Sequence, residues 1–442
     1  MTLRRALIGA SALILFAACR ASRSHADRVD AGTIVPATAP TATVPFPHRP
    51  AGCDYVVRAV SPSHPRVSPH ADHYGAAARV RDLHITFVGD PGTSVVIQWS
   101  TDDATLASEV RFDNGDGTPE RVAQGYSFTY GGSGPRREHE VHLCGLEPGR
   151  RYRYRAGGDR AMSPMYSFVT APSDDSPIRI LVLGDARSDL AAWRAVARRA
   201  NEERADLMLF TGDAVNDGAS QFEWDAFFDA GADLLASTPG LWADGNHEGL
   251  SEVYYALFAF PDNGDPHRHE HWFAASYGPL DVLVLNDTTV PPSEQRTVER
   301  DWIRTTLGAR DRNAHPWLVT MHHQPMITDS IGHIPDATTR AAWLPLWDEF
   351  HVNVDLAGHV HNYESSRPLR AGSEITDDMH GTRFITYGGA GAPLYRFHAQ
   401  QPWVQAREST HGYGILTVTR ATMRWEARRL DGTVIDEFAI AR

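Results

Sequence analysis

Cysteine is scarce in this chain, with three in 442 residues. That excludes a thiolate cage for zinc and a small scaffold stapled by many disulfides. Positive charge is also short. Lys and Arg total 42 against 55 Asp and Glu, a formal net charge of −13. Such a chain offers no basic platform for nucleic acid, and an anionic substrate must be drawn in by local positive charge. No internal repeat is visible. The glycine-rich run YGGAGAPLY lacks the spacing of a dinucleotide-binding loop and reads as a tight turn near a site. The leading apolar stretch, ALIGASALILFAA, is too short to cross a bilayer comfortably.

Arg4 and Arg5 ahead of that stretch make it an export signal. It ends at Ala17, Ala18 and Cys19, which resembles a bacterial lipobox, with Phe16 where Leu is usual. Residues 1–19 therefore read as a signal peptide ending at a lipidated cysteine, the alternative being an ordinary cleaved secretion signal. The protein is expected to be exported and held in the cell envelope as a lipoprotein, or else to be secreted or soluble in the periplasm. Its membrane contact would be the lipid anchor alone. Residues 20–79, starting rich in Ala, Thr, Pro and Ser, read as a tether and lead-in. Its His64, His70 and His73 read as solvated loop residues. Cys53 and Cys144, in an oxidising compartment, are expected to pair.

Residues 80–171 carry strand-like alternation broken by DPGT, DNGDG, GGSGP and EPGR turns. In RRYRYR the tyrosines Tyr152 and Tyr154 share one face and the arginines the other. The run from Leu146 to Tyr152 resembles the tyrosine corner of fibronectin type III domains, so an all-β sandwich is expected here. From Ile178 the pattern becomes strand, helix, strand. Leu190, Trp193, Val196, Ala197 and Ala200 recur at helical spacing. Residues 175–442 read as a second, α/β domain.

Six metal-binding residues stand in a fixed order, each ending an apolar run. They are Asp185 in ILVLGDAR, Asp213 in LMLFTGDAVND, Asn246 in LWADGNHE, a histidine in LVTMHHQP, and His359 with His361 in DLAGHVHNYE. In open α/β sheets, sites form where strands end. Hard oxygens mixed with imidazoles suit a pair of Zn, Mn or Fe ions. Two adjacent cations need a bridging carboxylate, for which Asp213 is the natural choice and Asp185 the terminal one. His359 and His361 can each reach a different ion.

These ordered segments resemble the calcineurin-like metallophosphoesterase family. GHVHNYE, together with the preceding fibronectin-like domain, looks most like the purple acid phosphatases within it, over roughly residues 80 to 440. The resemblance implies two packed mixed sheets flanked by helices. It implies that Asp185 and His361 hold the first ion, that Asp213 bridges, and that Asn246, a histidine at 322 or 323, and His359 hold the second. Spacing from Val319 selects His322, and spacing before Pro325 selects His323, which is favoured because proline fixes the turn. His247 would face the substrate, with Glu248 orienting it by a hydrogen bond. Tyr363 and Glu364 are expected to border the substrate.

Two positions depart from the family pattern. The tyrosine ligand that purple acid phosphatases carry three residues after the bridging aspartate is Asn216 here, which puts ferric iron in doubt and leaves Asn216 at the site edge. The histidine that many other members of the metallophosphoesterase family carry two residues after the first aspartate is Arg187. Arg187 is expected to clamp a phosphate oxygen, the alternative being a pairing with Asp189 or Asp217. The implied activity is metal-dependent hydrolysis of a phosphate monoester by a hydroxide held between the ions. The alternatives are a phosphodiesterase on the same site, or a degenerate surface binding protein.

Overall fold

Tyr152 and Tyr154 are buried in the strand Arg151–Gly158, while Arg151 and Arg153 face solvent, as a period of two requires. This is seen in a computed structural model that describes residues 42–442. Cys19, the export signal and the first part of the tether lie outside the described residues. The strand belongs to an antiparallel sheet ordered Tyr166–Val169, Arg151–Gly158, Glu109–Asp113, Arg121–Gln124, with Ala161–Met162 pairing beside it. A second antiparallel sheet runs Val67–Pro69, Tyr126–Phe128, Arg136–Cys144, Ser94–Asp102, Arg81–Thr86. Val95, Ile97 and Trp99 of one sheet and Val110, Phe112 and Tyr154 of the other join one continuous apolar core. The Tyr152 hydroxyl accepts the Glu147 N–H at 2.9 Å, closing the expected corner. Cys53 and Cys144 form the expected disulfide, Cα to Cα 5.2 Å.

The α/β half is built from two mixed sheets. Six strands run Gly240–Trp242, Leu207–Phe210, Ile178–Leu183, Gly412–Val418, Thr422–Arg429, Val434–Ala441, the first three parallel. Seven run Phe273–Tyr277, Leu280–Val284, Trp317–Met321, Val354–Ala357, Arg383–Tyr387, Tyr363–Ser366, Val404–Glu408, with the second to fifth parallel. Val282, Val284, Val319 and Met321 join the main core with the six-stranded sheet. Their neighbours Leu283 and Leu318 join a second cluster with Ile303, Leu307, Trp343 and Trp347, from the helices Arg300–Gly308 and Ala337–Phe350. Alternation along each strand thus sends one face to the partner sheet and the other to helices. The helix Leu190–Asn201 buries Trp193, Val196, Ala197 and Ala200 as spaced, while Leu190, at its first position, stays 42% exposed.

The two halves are joined by buried polar contacts. Tyr154 donates to the Ala236 carbonyl at 2.7 Å, and the Ala259 N–H donates to Gln98 at 3.1 Å. Arg136 grips Asp225 of the helix Gln221–Leu235 with both terminal nitrogens and also reaches Asp82 at 3.2 Å. Among the described residues no helix is long and apolar enough to cross a membrane.

Candidate metal centre

Parallel strands in both sheets end at one rim. Asp185 follows Ile178–Leu183, Asp213 follows Leu207–Phe210, Asn246 follows Gly240–Trp242, His323 follows Trp317–Met321, and His359 and His361 follow Val354–Ala357. Three of these residues hold a left-handed backbone: Asp185 at φ 59°, Asp213 at φ 58° and His359 at φ 63°. Each such conformation costs roughly 1–3 kcal/mol in a residue other than glycine and persists only where its surroundings enforce it. Here they do. The Asp185 N–H donates to the Gly212 carbonyl at 2.9 Å, the Asp213 N–H to Glu248 at 2.8 Å, and the His359 N–H to the Asp185 carboxylate at 2.9 Å. Gly245 is required beneath them, because a Cβ there would collide with the Asp213 backbone and carboxylate.

Two donor groups result, Asp213–His323–His359 and Asp185–Asp213–His361, in each of which the ligand atoms lie within 4.8 Å of one another. Asp213 belongs to both. His323 Nε2 is 3.3 Å from Asp213 Oδ1, 3.1 Å from Asn246 Oδ1 and 3.2 Å from His359 Nδ1. Its Nδ1 donates to the Thr211 carbonyl at 2.7 Å, which turns Nε2 to the cluster. His361 is fixed likewise: Nδ1 donates to the Pro393 carbonyl at 2.8 Å and Nε2 lies 3.4 Å from Asp185 Oδ1.

The electrostatics call for a cation. Burial disfavours a charged His323, yet Asp213 outweighs it and pushes the imidazole up to about 10. Burial likewise opposes a charged Asp213, and His323 outweighs it, holding the carboxyl below the usual range. Burial and then His323 push His359 down to about 2, so it is neutral and free to donate a lone pair. One buried carboxylate, an amide oxygen and two imidazoles, of which His323 gives up its proton when an ion binds, fit Zn, Mn or Fe at Asp213, Asn246, His323 and His359.

Several expected residues sit elsewhere. His322 is not in the cluster. Its ring is fully buried between Asp287, 2.7 Å from Nδ1, and Asp355, 3.1 Å from Nε2. Glu248 does not orient His247. Its carboxylate accepts the N–H groups of Asp213, Ala214 and Gly245 at 2.7–2.9 Å and so ties two ligand loops together. His247 is oriented instead by the Asn216 carbonyl, 2.6 Å from Nδ1, with Nε2 3.9 Å from Asp213. Arg187 pairs with neither Asp189 nor Asp217. It turns inward, Nε to Asp213 Oδ2 at 3.1 Å and Nη2 to His361 Nε2 at 3.2 Å. Tyr363 does not border the site. It is core, donating to Asp436 at 2.8 Å and accepting from Trp425. Glu364 is buried too, binding Thr328 and the Asp329 N–H.

Two residues escape the strand-end pattern. His333 lies over His359, ring centroids 3.8 Å apart, and Tyr395 stacks on His361 at 4.2 Å. His333 Nε2 and the Tyr395 hydroxyl are 3.3 Å apart. His333 comes from a loop with no apolar run to announce it. Tyr395 closes the run YGGAGAPLY, whose glycines are the one signal pointing to it.

Comparison with known proteins follows this geometry. Residues 80–170 match the purple acid phosphatase N-terminal domain, 178–363 the calcineurin-like phosphoesterases, and 381–437 the iron/zinc purple acid phosphatase-like protein C. Purple acid phosphatase 21 of Arabidopsis thaliana is 27% identical over 78% of this chain and 80% of its own length. Probable inactive purple acid phosphatase 1 of the same plant is 24% identical over 71% of this chain and 59% of its own length. The structure of purple acid phosphatase PPD1 from yellow lupin seeds superposes with a TM-score of 0.73 at 20% identity, covering 83% of this chain and 75% of that one.

Proposed function

Because the chain belongs to the calcineurin-like phosphoesterases, with purple acid phosphatase-type domains on either side, we propose that it hydrolyses phosphate monoesters at the centre built on Asp213. The observation that carries this reading is the sharing of Asp213 between two donor groups at the converging strand ends. Asn246, His323 and His359 would hold one ion with it, and Asp185 and His361 belong to the other group. Ions bound there would supply Lewis acidity and make water bound to them more acidic.

The remaining residues act on the substrate. His247 is anchored through Nδ1, so Nε2 faces the cluster, and in its protonated form it donates to the phosphoryl group or to the leaving oxygen. His333 and Tyr395 stack on the rings of His359 and His361 and offer further hydrogen-bond donors. Several donors around one point suit a terminal phosphate, with its three free oxygens, better than a diester with two. The Tyr152 corner and the strand order support a fibronectin III-like N-terminal domain. The Cys53–Cys144 disulfide supports export to an oxidising compartment, with Cys19 as the lipid anchor.

The test is hydrolysis of a chromogenic phosphate monoester and diester, with added Zn, Mn or Fe, before and after chelation. Monoester turnover that is lost on chelation is expected, and Asp213→Asn is expected to lower it roughly 10³-fold. Faster diester turnover would move the substrate class. No turnover with any metal, or an Asp213→Asn enzyme as fast as the parent, would refute the reading.

A further inference from the structure

The donor group of Asp185, Asp213 and His361 is already engaged. Arg187 Nε donates to Asp213 Oδ2 and Nη2 donates to His361 Nε2. Asp213 uses its other oxygen, Oδ1, toward His323. His361 has committed Nδ1 to the Pro393 carbonyl, so Nε2 carries its one available lone pair. An ion on this group would need the same nitrogen. A guanidinium has five N–H donors and no lone pair to offer an ion in exchange. The two occupants are therefore mutually exclusive.

The placement of Arg187 is built rather than loose. Its side chain is only 14% exposed. Nη1 reaches Ser188 Oγ at 3.3 Å, and that hydroxyl donates to Asn216 Oδ1 at 2.6 Å. Asn216 stands where purple acid phosphatases have a tyrosine ligand, and Arg187 where many other family members have a histidine. Both departures thus lie on one chain of contacts, and both replace a lone-pair donor to the first ion. Charge agrees with this. Asp185 and Asp213 bring two negative charges to the centre, and a guanidinium supplies one compensating positive charge without an ion.

We infer that Arg187 takes the place of the first ion. The resting centre holds one ion on Asp213 Oδ1, Asn246, His323 and His359, and a second ion enters only by displacing the guanidinium. The inference rests on the metal-dependent reading above but departs from its two-ion form. It is tested on metal-stripped full-length protein titrated with Mn(II) in equilibrium dialysis, with EPR of the loaded samples. The parent is expected to bind one tight equivalent, with any second at least about tenfold weaker, and to show the spectrum of an isolated ion. Arg187→Ala is expected to bind two equivalents and to show an exchange-coupled pair. Arg187→Gln, closer in size, repeats the measurement should the alanine variant fold poorly. Two equally tight, coupled ions in the parent would overturn the inference and leave the phosphoesterase reading standing, as would a single equivalent in both variants. No bound Mn(II) in the parent would overturn both.

Discussion

His322 and His323 directly follow the strand Trp317–Met321, and their rings go to different partners. His323 turns to the rim and His322 turns down, where burial opposes its charge but Asp355 and Asp287 outweigh that and hold its pKa well above the ordinary histidine value. Removing its ring would leave two carboxylates buried without a cation. His322→Ala is therefore expected to keep its metal content and lose about 3–5 kcal/mol of stability, whereas His323→Ala should lose the ion. Metal analysis beside urea midpoints separates the two. Spacing alone could not choose between them, because the choice is made by Asp355, on the neighbouring strand Val354–Ala357, and Asp287, in the loop after Leu280–Val284. Glu248 teaches the same lesson. Adjacency in sequence suggested a partnership with His247, yet the carboxylate reaches backbone N–H groups 34 and 35 residues away.

At the scale of elements, the strands that end in ligands are legible because a long apolar run stops abruptly at a polar residue. A short strand such as Tyr126–Phe128 gives no such signal. The helix Ala337–Phe350 is obscured by Pro345, which normally argues against a helix interior. Its burial of Trp343, Leu346 and Trp347 offsets the lost hydrogen bond. The turn before Phe273–Tyr277 holds a buried acid. Burial, opposed by His269, pushes Glu270 up to about 8 from an ordinary 4.5. Between those values the folded chain keeps a proton that the unfolded chain has released. Stability from this group is therefore full below about pH 4.5 and is lost as pH rises toward about 8. Glu270→Gln keeps the acceptor for the Phe260 N–H, 2.9 Å away, and cannot ionise. Its stability should fall less steeply with pH, by up to about 1.4 kcal/mol per pH unit. Urea unfolding at several pH values across the window checks this, and parallel slopes for parent and variant would contradict it.

Across the whole molecule, the change of periodicity near residue 175 could be read from the sequence, but the contacts across it could not. The joining residues, Arg136, Gln98 and Tyr154, look like ordinary strand residues until the halves meet. Arg136 is the main cation there, facing Asp225 and Asp82, whose carboxyl is pushed up to about 6 chiefly by burial. Arg136→Ala is expected to cost about 3–5 kcal/mol and to expose a protease-sensitive joint near residue 175. Denaturant midpoints and the sizes of the first proteolytic fragments test it, and an unchanged midpoint would count against the clamp. The chain contains no lysine, so every permanent side-chain cation is a guanidinium, suited to the two-pronged grip seen at Asp225.

The strand Arg136–Cys144 is fastened at both ends. At one end its sulfur is bonded to Cys53, and at the other its guanidinium holds the helix Gln221–Leu235. A drag on the segment ahead of residue 53 would thus enter through a covalent link and run along a buried strut into the catalytic half. That helix also holds the loop after Asp213, because its Glu223 accepts the Asn216 N–H at 2.7 Å, so tension would reach the edge of the centre along the same line.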